Sequence, residues 1–326
     1  MTPDRVVGRL APSPTGGLHV GHARTFLVAW LAVRSRGGRL ILRIEDIDAG
    51  RVRPGAAEAA IADLAWLGID WDEGPIHQST RFDHYRAALE GWIARGLVYP
   101  CTCTRAEIER AASAPHAGEE GPTYPGSCAS RTAEEGVDLE RRGIAFAWRF
   151  RTDDRRVGWN DLVVGPIERG LGGDFIIARE PFAPSYQLAV SVDDALMGVT
   201  QVLRGDDLIP STPRQIRLLE SLEARVPHYG HIPLVHDADG RRLAKRDGSI
   251  KLAALREAGI DPRRLIGYLA RSCGWTDGIE PSSPRDWIDR FELRSIPPEP
   301  WTLVPPHWPP LGTRDAPTGE RTATDV

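Results

Sequence analysis

His19 and His22 stand three positions apart, just after Pro12-Ser13-Pro14-Thr15-Gly16-Gly17, a segment whose prolines and glycines exclude helix. Helical patterning starts at Gly21, so both rings lie on one side of a first helical turn. Unpaired backbone N–H groups and the helix dipole favour an anion there, and Gly21 leaves room for a purine or phosphate against the backbone. Taken alone, the pair also fits capping or surface histidines, and metal binding is a third option that lacks nearby Cys or carboxylate ligands. A second group is acidic: Glu45, Asp46 and Asp48 follow directly on the run Arg-Leu-Ile-Leu-Arg-Ile at 39–44. A third is Cys101-Thr102-Cys103 with Cys128, a thiol cluster that fits zinc or plain buried thiols. The fourth is Lys245, in a loop over 236–248 rich in charge and glycine. The only other lysine is Lys251, in a chain that otherwise uses arginine; a compact ammonium kept here points to a geometry that excludes the broad guanidinium.

These residues need elements to position them. The pattern predicts a strand over 6–11, a helix from 21 whose apolar face is Phe26, Leu27, Trp30, Leu31 and Val33, a stop at Gly37-Gly38, a buried strand over 39–44 and a helix over 56–67. Strand, loop, helix, strand, helix opens a parallel α/β sheet, and ligands bind such sheets beyond the carboxyl ends of the strands. Residues 9–15 and 45–48 fall at those ends and so belong to one site. Residues 101–173 read as an insertion with short strands over 145–150 and 162–164; sheet patterning returns over 174–178 and 188–192. Helices are expected over 213–222, 252–258 and 262–270. The predicted division is 1–100 and 174–250 as the two halves of a Rossmann-like catalytic domain, 101–173 as the insertion, 251–296 as a helical C-terminal region, and 297–326 as a disordered tail.

The 326 residues suffice for two or three domains with a sizeable core. No apolar run is long enough to span a bilayer, the N-terminus lacks a secretion signal, and four cysteines do not form a secreted disulfide framework. A cytoplasmic enzyme without membrane attachment is the expectation. A net charge of −4 does not advertise nucleic-acid binding, although arginine clusters at 141–142, 151–156, 241–246 and 263–264 could meet phosphates; singly, each reads as solvated surface.

The run Arg9-Leu10-Ala11-Pro12-Ser13-Pro14-Thr15-Gly16-Gly17-Leu18-His19-Val20-Gly21-His22-Ala23-Arg24-Thr25 resembles the signature that opens the glutamyl-tRNA synthetases and their relatives among class I aminoacyl-tRNA synthetases. Arg43-Ile44-Glu45-Asp46-Ile47-Asp48 resembles their second block. Asp193-Asp194 through Leu203-Arg204-Gly205-Asp206-Asp207 and Thr212-Pro213-Arg214-Gln215 resemble the third. Arg242-Leu243-Ala244-Lys245-Arg246 occupies the place of the Lys-Met-Ser-Lys-Ser loop; it departs at Arg242, Ala244 and Arg246 and keeps Lys245.

The resemblance implies a Rossmann-like α/β class I catalytic domain that activates L-glutamate with ATP. It assigns His19, His22 and Lys245 to catalysis, and His19, Gly21, His22 and Lys245 to ATP, with Mg2+ on the phosphates. Glutamate is expected among Arg9, Leu10, Ala11, Pro12, Ser13, Glu45, Tyr186 and Arg204. Arg9 and Arg204 would take the side-chain carboxylate in bidentate geometry, and Glu45 the α-ammonium. Cys-Thr-Cys…Tyr-x-Gly-x-Cys resembles the arrangement in short glutamyl-synthetase paralogues, which implies a structural Zn2+ on Cys101, Cys103, Tyr124 and Cys128; His116 is the alternative fourth ligand. Roughly fifty residues follow Ala270, too few for the helical anticodon-binding domain of a full glutamyl-tRNA synthetase. The chain therefore resembles the family of truncated paralogues that activate glutamate without tRNA and transfer it to the queuosine base at the wobble position of tRNA(Asp). That reading makes the partner an anticodon stem-loop and the protein a monomer. The alternatives are a short glutamyl-tRNA synthetase charging tRNA(Glu), and an inactive nucleotide- or RNA-binding regulator.

Overall fold

The computed structural model describes residues 5–111, 124–153, 155–180, 182–237, 240 and 251–303. β1 (Val7–Leu10) is followed by α1 (Val20–Arg34), β2 (Arg39–Ile44), α2 (Ala56–Trp66), β3 (Glu73–His77) and α3 (Phe82–Ala94). β1 and β3 each pair with β2 in parallel, so α1 and α2 are crossover helices. α1 is apolar nearly all round and buries Leu27, Val28, Trp30 and Leu31 completely, which is the signature of a helix enclosed by the core. It stops where Gly37 takes a left-handed φ of 60°, a conformation that glycine adopts without strain.

β4 (Val98–Cys101) leaves this sheet. After α4 (Arg105–Ala111) and α5 (Ala133–Arg141) come β5 (Ala147–Phe150), the hairpin of β6 (Val157–Asp161) and β7 (Gly165–Arg169), β8 (Phe175–Arg179) and β9 (Ala183–Pro184). β4, β5, β8 and β9 form a four-stranded antiparallel sheet in that order. It packs on α3 and on α6 (Tyr186–Leu196) through Tyr85, Trp92, Phe150, Phe175 and Leu188. The chain then returns through β10 (Gln201–Gly205), α7 (Thr212–Ser221) and β11 (His228–Ile232). β10 and β11 are parallel, and β10 lies beside β1, where the Thr200 N–H donates to the Val7 carbonyl at 2.9 Å. The parallel strands thus run β3–β2–β1–β10–β11. β12 (Val235–His236), α8 (Leu252–Glu257), α9 (Pro262–Ser272) and β13 (Trp301–Thr302) complete the described elements.

Four sequence expectations change. Residues 188–192 are helix, not strand: they lie inside α6, whose Ser185 hydroxyl caps the Leu188 N–H at 3.3 Å. A short apolar run buried on every side carries no period to tell the two apart. Residues 162–164 are the turn of the β6–β7 hairpin, because Asp161 Oδ1 accepts the N–H groups of Val163 and Val164 at 3.1 Å each. The stretch beyond 297 is not structureless throughout. Trp301 pairs with Val235, its ring meets Tyr268 at 4.9 Å, and Leu303 is buried. The antiparallel sheet also runs across positions 101 and 173 instead of starting and ending there.

Candidate active site

The histidine pair is a helix cap. His19 occupies the N-cap of α1 and its Nδ1 accepts the Gly21 N–H at 3.1 Å, while His22 Nδ1 accepts the His19 N–H at 3.2 Å. The rings lie against each other, tilted by 32°, with centroids 3.7 Å apart. A neutral imidazole that accepts at Nδ1 carries its proton on Nε2. The cap therefore fixes both tautomers and makes two N–H donors beside the positive end of the helix. Serine or aspartate would cap as well but offer no second edge. Glycine suits position 21, since a Cβ there would press on the capping ring of His19 at 3.0 Å. The chain resuming at Lys251 docks on the same spot: His19 and Lys251 form an antiparallel bridge, and the Leu252 N–H donates to the Leu18 carbonyl at 2.9 Å. Lys245 and the rest of 241–250 lie outside the described residues.

Beside the cap, at the ends of β1, β2 and β10, lies a buried charged group. The Glu45 N–H donates to the Pro12 carbonyl at 3.0 Å, which registers the first loop against the second. Arg43 is fully buried, with Asp194 at 2.7 Å, Glu45 at 3.3 Å and Asp193 at 4.0 Å. Burial opposes its charge, but these carboxylates outweigh burial and hold the guanidinium ionised. Asp193 is clamped by Arg81 at 2.7 Å and by Tyr85 and Gln78 at 2.8 Å each.

Arg9 and Arg204 differ from Arg43. Arg9 is 5 % exposed; it donates to the Leu203 carbonyl at 3.2 Å, lies 3.8 Å from Asp194, and its Nε finds no partner. Burial, with Arg43 and Arg204 adding to it, pulls its pKa down against Asp194 and Glu45. Among the described residues Arg204 donates to neutral groups: His231, Gln215, Thr212 and the Leu208 carbonyl. Tyr186 opens α6 and feels Arg204, Glu45 and Arg9, while burial pushes its phenol up. Glu45 is also pushed up by burial, against Arg43 and Arg9. Of the expected lining residues, Leu10 turns its side chain into the core, Pro12 is buried and Ser13 is exposed.

Cys101, Cys103 and Cys128 bring their Sγ atoms within 4.8 Å of one another. Tyr124 Oη lies 3.5 Å from Cys101 Sγ and 3.8 Å from Cys103 Sγ, and Cys103 and Cys128 are 3.5 Å apart. The Cys128 N–H donates to the same phenol oxygen at 2.8 Å, and the Arg149 guanidinium covers the Tyr124 ring at 3.7 Å. His116 lies outside the described residues. A cleft of about 830 Å³ opens beside this cluster, with Arg149, Asp174, Arg179, Gln187 and Arg214 among its lining.

The residues of this centre differ in their sequence signal. Asp193 and Asp194, which open the third block of the resemblance, close the buried helix α6. Asp161 and His231 come from separate segments and had no local signal. Arg151, within a candidate phosphate cluster, is instead a structural tie that donates to the carbonyls of Gly96, Ala129 and Arg131. Among the described residues no helix is long and apolar enough to cross a membrane.

Residues 5–294 match the class I tRNA synthetases (E and Q), catalytic domain. The chain is 51% identical to the glutamyl-Q tRNA(Asp) synthetase of Symbiobacterium thermophilum, covering 90% of this chain and 94% of the relative. It is 46% identical to that of Nitratidesulfovibrio vulgaris, over 92% and 95%. The glutamate tRNA ligase of Elizabethkingia meningosepticum, solved in complex with its amino acid, superposes with a TM-score of 0.78 at 26% identity, over 92% of this chain and 67% of that one. With these likenesses and this site, the chain belongs to the class I tRNA synthetases of the E and Q type and, among them, to the glutamyl-Q tRNA(Asp) synthetases.

Proposed function

We propose that the chain activates L-glutamate with ATP, without tRNA, and transfers it to the queuosine base at the wobble position of tRNA(Asp). One observation carries the amino-acid half: among the described residues the buried guanidiniums of Arg9 and Arg204 have no carboxylate within 3.5 Å, so neither has an anion in direct contact. Glutamate's side-chain carboxylate supplies it, and Glu45 takes the α-ammonium. Glutamine would leave the two guanidiniums without that anion. The α-carboxylate then attacks the α-phosphorus of ATP, which arrives as its magnesium complex, and pyrophosphate leaves. Negative charge builds on the phosphoryl oxygens, where fixed Nε2–H donors on His19 and His22, the α1 N-terminus and the Lys245 ammonium stabilise it.

The acceptor nucleotide enters by the cleft beside the cysteine cluster, whose Arg149, Arg179 and Arg214 suit a nucleic-acid backbone. Zinc fits the cluster: tetrahedral coordination at Zn–S of about 2.3 Å and Zn–O of about 2.0 Å gives S···S edges of about 3.8 Å and S···O edges of about 3.5 Å. The observed separations of 3.5 to 3.8 Å match these edges with Tyr124 as the fourth ligand. Zinc would pin the 101–128 segment as a structural ion. The protein is read as a cytoplasmic monomer.

The test supplies ATP and labelled glutamate with queuosine-containing tRNA(Asp), queuosine-free tRNA(Asp) and tRNA(Glu). Label on the first alone is expected; label on tRNA(Glu) makes the chain a short glutamyl-tRNA synthetase, and no activation makes it a regulator. Lys245→Ala should abolish glutamate-dependent ATP–pyrophosphate exchange in a folded protein, and retained exchange removes Lys245 from the mechanism. Metal analysis of wild type beside Tyr124→Phe and His116→Ala decides the fourth ligand, since loss of zinc only in His116→Ala overturns Tyr124.

A further inference from the structure

Arg204 is 4 % exposed and its planar head is held on every side. Nη1 donates to Gln215 Oε1 at 2.7 Å, and Nη2 to Thr212 Oγ1 at 2.9 Å and the Leu208 carbonyl at 3.3 Å, all from the segment just after β10. Nε donates across the sheet to Nε2 of His231, its register partner on β11, at 3.2 Å. Among the described residues, four of the five guanidinium N–H groups are taken and one on Nη1 is left for a ligand.

His231 can accept from Arg204 only with its own proton on Nδ1. Asp161 Oδ2 lies 2.5 Å from that Nδ1, and both side chains are fully buried. Asp161 is itself fixed: Oδ1 takes the N–H groups of Val163, Val164 and His231 at 3.0 to 3.1 Å, and Oδ2 the Trp159 indole at 3.3 Å. The β6–β7 hairpin thus delivers a carboxylate into the base of the parallel sheet. Burial would raise the Asp161 pKa, yet His231 and these backbone donors bring it down to about 2. Burial, with Arg204 adding to it, holds His231 neutral against Asp161.

We propose that Asp161 and His231 are positioning residues for the amino-acid substrate: the carboxylate sets the His231 tautomer, and His231 orients Arg204 so that its remaining Nη1 hydrogen meets the substrate's side-chain carboxylate. The inference rests on the glutamate-pocket reading of Arg204. It explains why a neutral acceptor and not a carboxylate faces Nε. A carboxylate in contact would neutralise Arg204 and cancel its attraction for the substrate. An imidazole fixes the same edge and keeps the negative charge one ring away.

Asp161→Asn tests this with almost no change of shape. Its amide oxygen can still accept the three backbone N–H groups, but its NH2 faces His231 Nδ1 and drives the proton to Nε2, against the Arg204 N–H; the same substitution logic governs the carboxylate of a serine-protease triad. Glutamate-dependent ATP–pyrophosphate exchange should show KM for glutamate raised at least tenfold, with KM for ATP within twofold and kcat little changed. Imidazole 15N shifts should report His231 passing from the Nδ1–H to the Nε2–H form. His231→Gln, which offers both a donor and an acceptor, should restore most of the glutamate KM relative to His231→Met; this pair serves also if Asp161→Asn fails to fold. A switched tautomer with unchanged glutamate KM, or equal KM in His231→Gln and His231→Met, overturns the proposal. Arg204→Met separates the two levels. If it leaves the glutamate KM unchanged, the pocket reading falls; if it raises KM while the Asp161 and His231 variants do not, only the positioning roles fall.

Discussion

Replacing Arg9 by methionine should remove glutamate binding without harming the empty fold. In most buried ion pairs, deleting one partner strands the other charge and costs about 3–5 kcal/mol. Here Asp194 keeps Arg43 at 2.7 Å when Arg9, at 3.8 Å, is gone, so no anion is stranded. What disappears is one hydrogen bond to the Leu203 carbonyl and the burden of a buried Nε without a partner. Those opposing contributions are each about 1–3 kcal/mol, so the unliganded protein should change by less than about 1 kcal/mol. Binding is different: truncating one side of a desolvated charge pair costs about 2–5 kcal/mol, or roughly 30- to 4000-fold in affinity. Two measurements check this, the glutamate KM in ATP–pyrophosphate exchange and thermal unfolding with and without glutamate. At a hundredfold excess over Kd, glutamate should stabilise wild type by about 2.7 kcal/mol, and at the same concentration the variant by less than about 1 kcal/mol. That is a shift of about 4 °C cut to less than about 1.5 °C. A variant that unfolds many degrees earlier on its own, yet binds glutamate with unchanged KM, would make Arg9 a structural cation and refute the reasoning.

His22→Asn keeps an acceptor for the His19 N–H and deletes the Nε2–H donor; the melting temperature should hold within a few degrees while kcat for exchange drops roughly a hundredfold. Asp161 has a folded pKa of about 2 against an ordinary 3.8, so its contribution is complete above pH 4 and is lost as pH falls through 2. Acid titration of stability should therefore show a loss on the order of 2 kcal/mol in that window for wild type and not for Asp161→Asn, and identical acid profiles would contradict it. Chelation should lower the melting temperature of wild type and leave Cys128→Ala, already without zinc, where it was.

The parallel-sheet start was legible because each of its elements carries a period and a stop: the buried run of β2, the Gly37 exit of α1, and the proline-glycine loop that cannot be helix. The capping histidine pair was legible because it is contiguous with that loop. Local pattern fails where burial is uniform, as in α6, and where a turn is made by a side chain, as Asp161 makes the turn at 162–164. The support behind Arg204 was hidden for a third reason. Gln215 and Thr212 follow it within eleven positions, but Asp161 lies 43 positions before it and His231 comes from the neighbouring strand, 27 positions later, so only the register of β10 on β11 brings the pair together. Among the arginine clusters, Arg141 and Arg142 are exposed as solvated surface residues should be, whereas Arg151 departs from that reading because it spends its donors on three carbonyls of its own chain.

The pocket's charges explain why it can be both stable empty and selective when filled. The guanidiniums of Arg9, Arg43, Arg81 and Arg204 face the carboxylates of Glu45, Asp193 and Asp194, and Asp161 makes the fourth. In sum the centre is neutral, so the empty fold need not hold an uncompensated charge. The compensation is unevenly placed. Arg43 and Arg81 are in contact with their carboxylates, whereas Asp161 stands behind His231, and Arg9 shares Asp194 only at 3.8 Å. The field left over is therefore concentrated on the two guanidiniums that line the pocket. A ligand carboxylate recovers it; a carboxamide of the same shape does not, and leaves their donors facing an N–H2 group or nothing. Selectivity for glutamate over glutamine on this view resides in where the anions of the fold stand, one in contact with Arg43 and one held back by an imidazole from Arg204, more than in any residue that touches only the substrate.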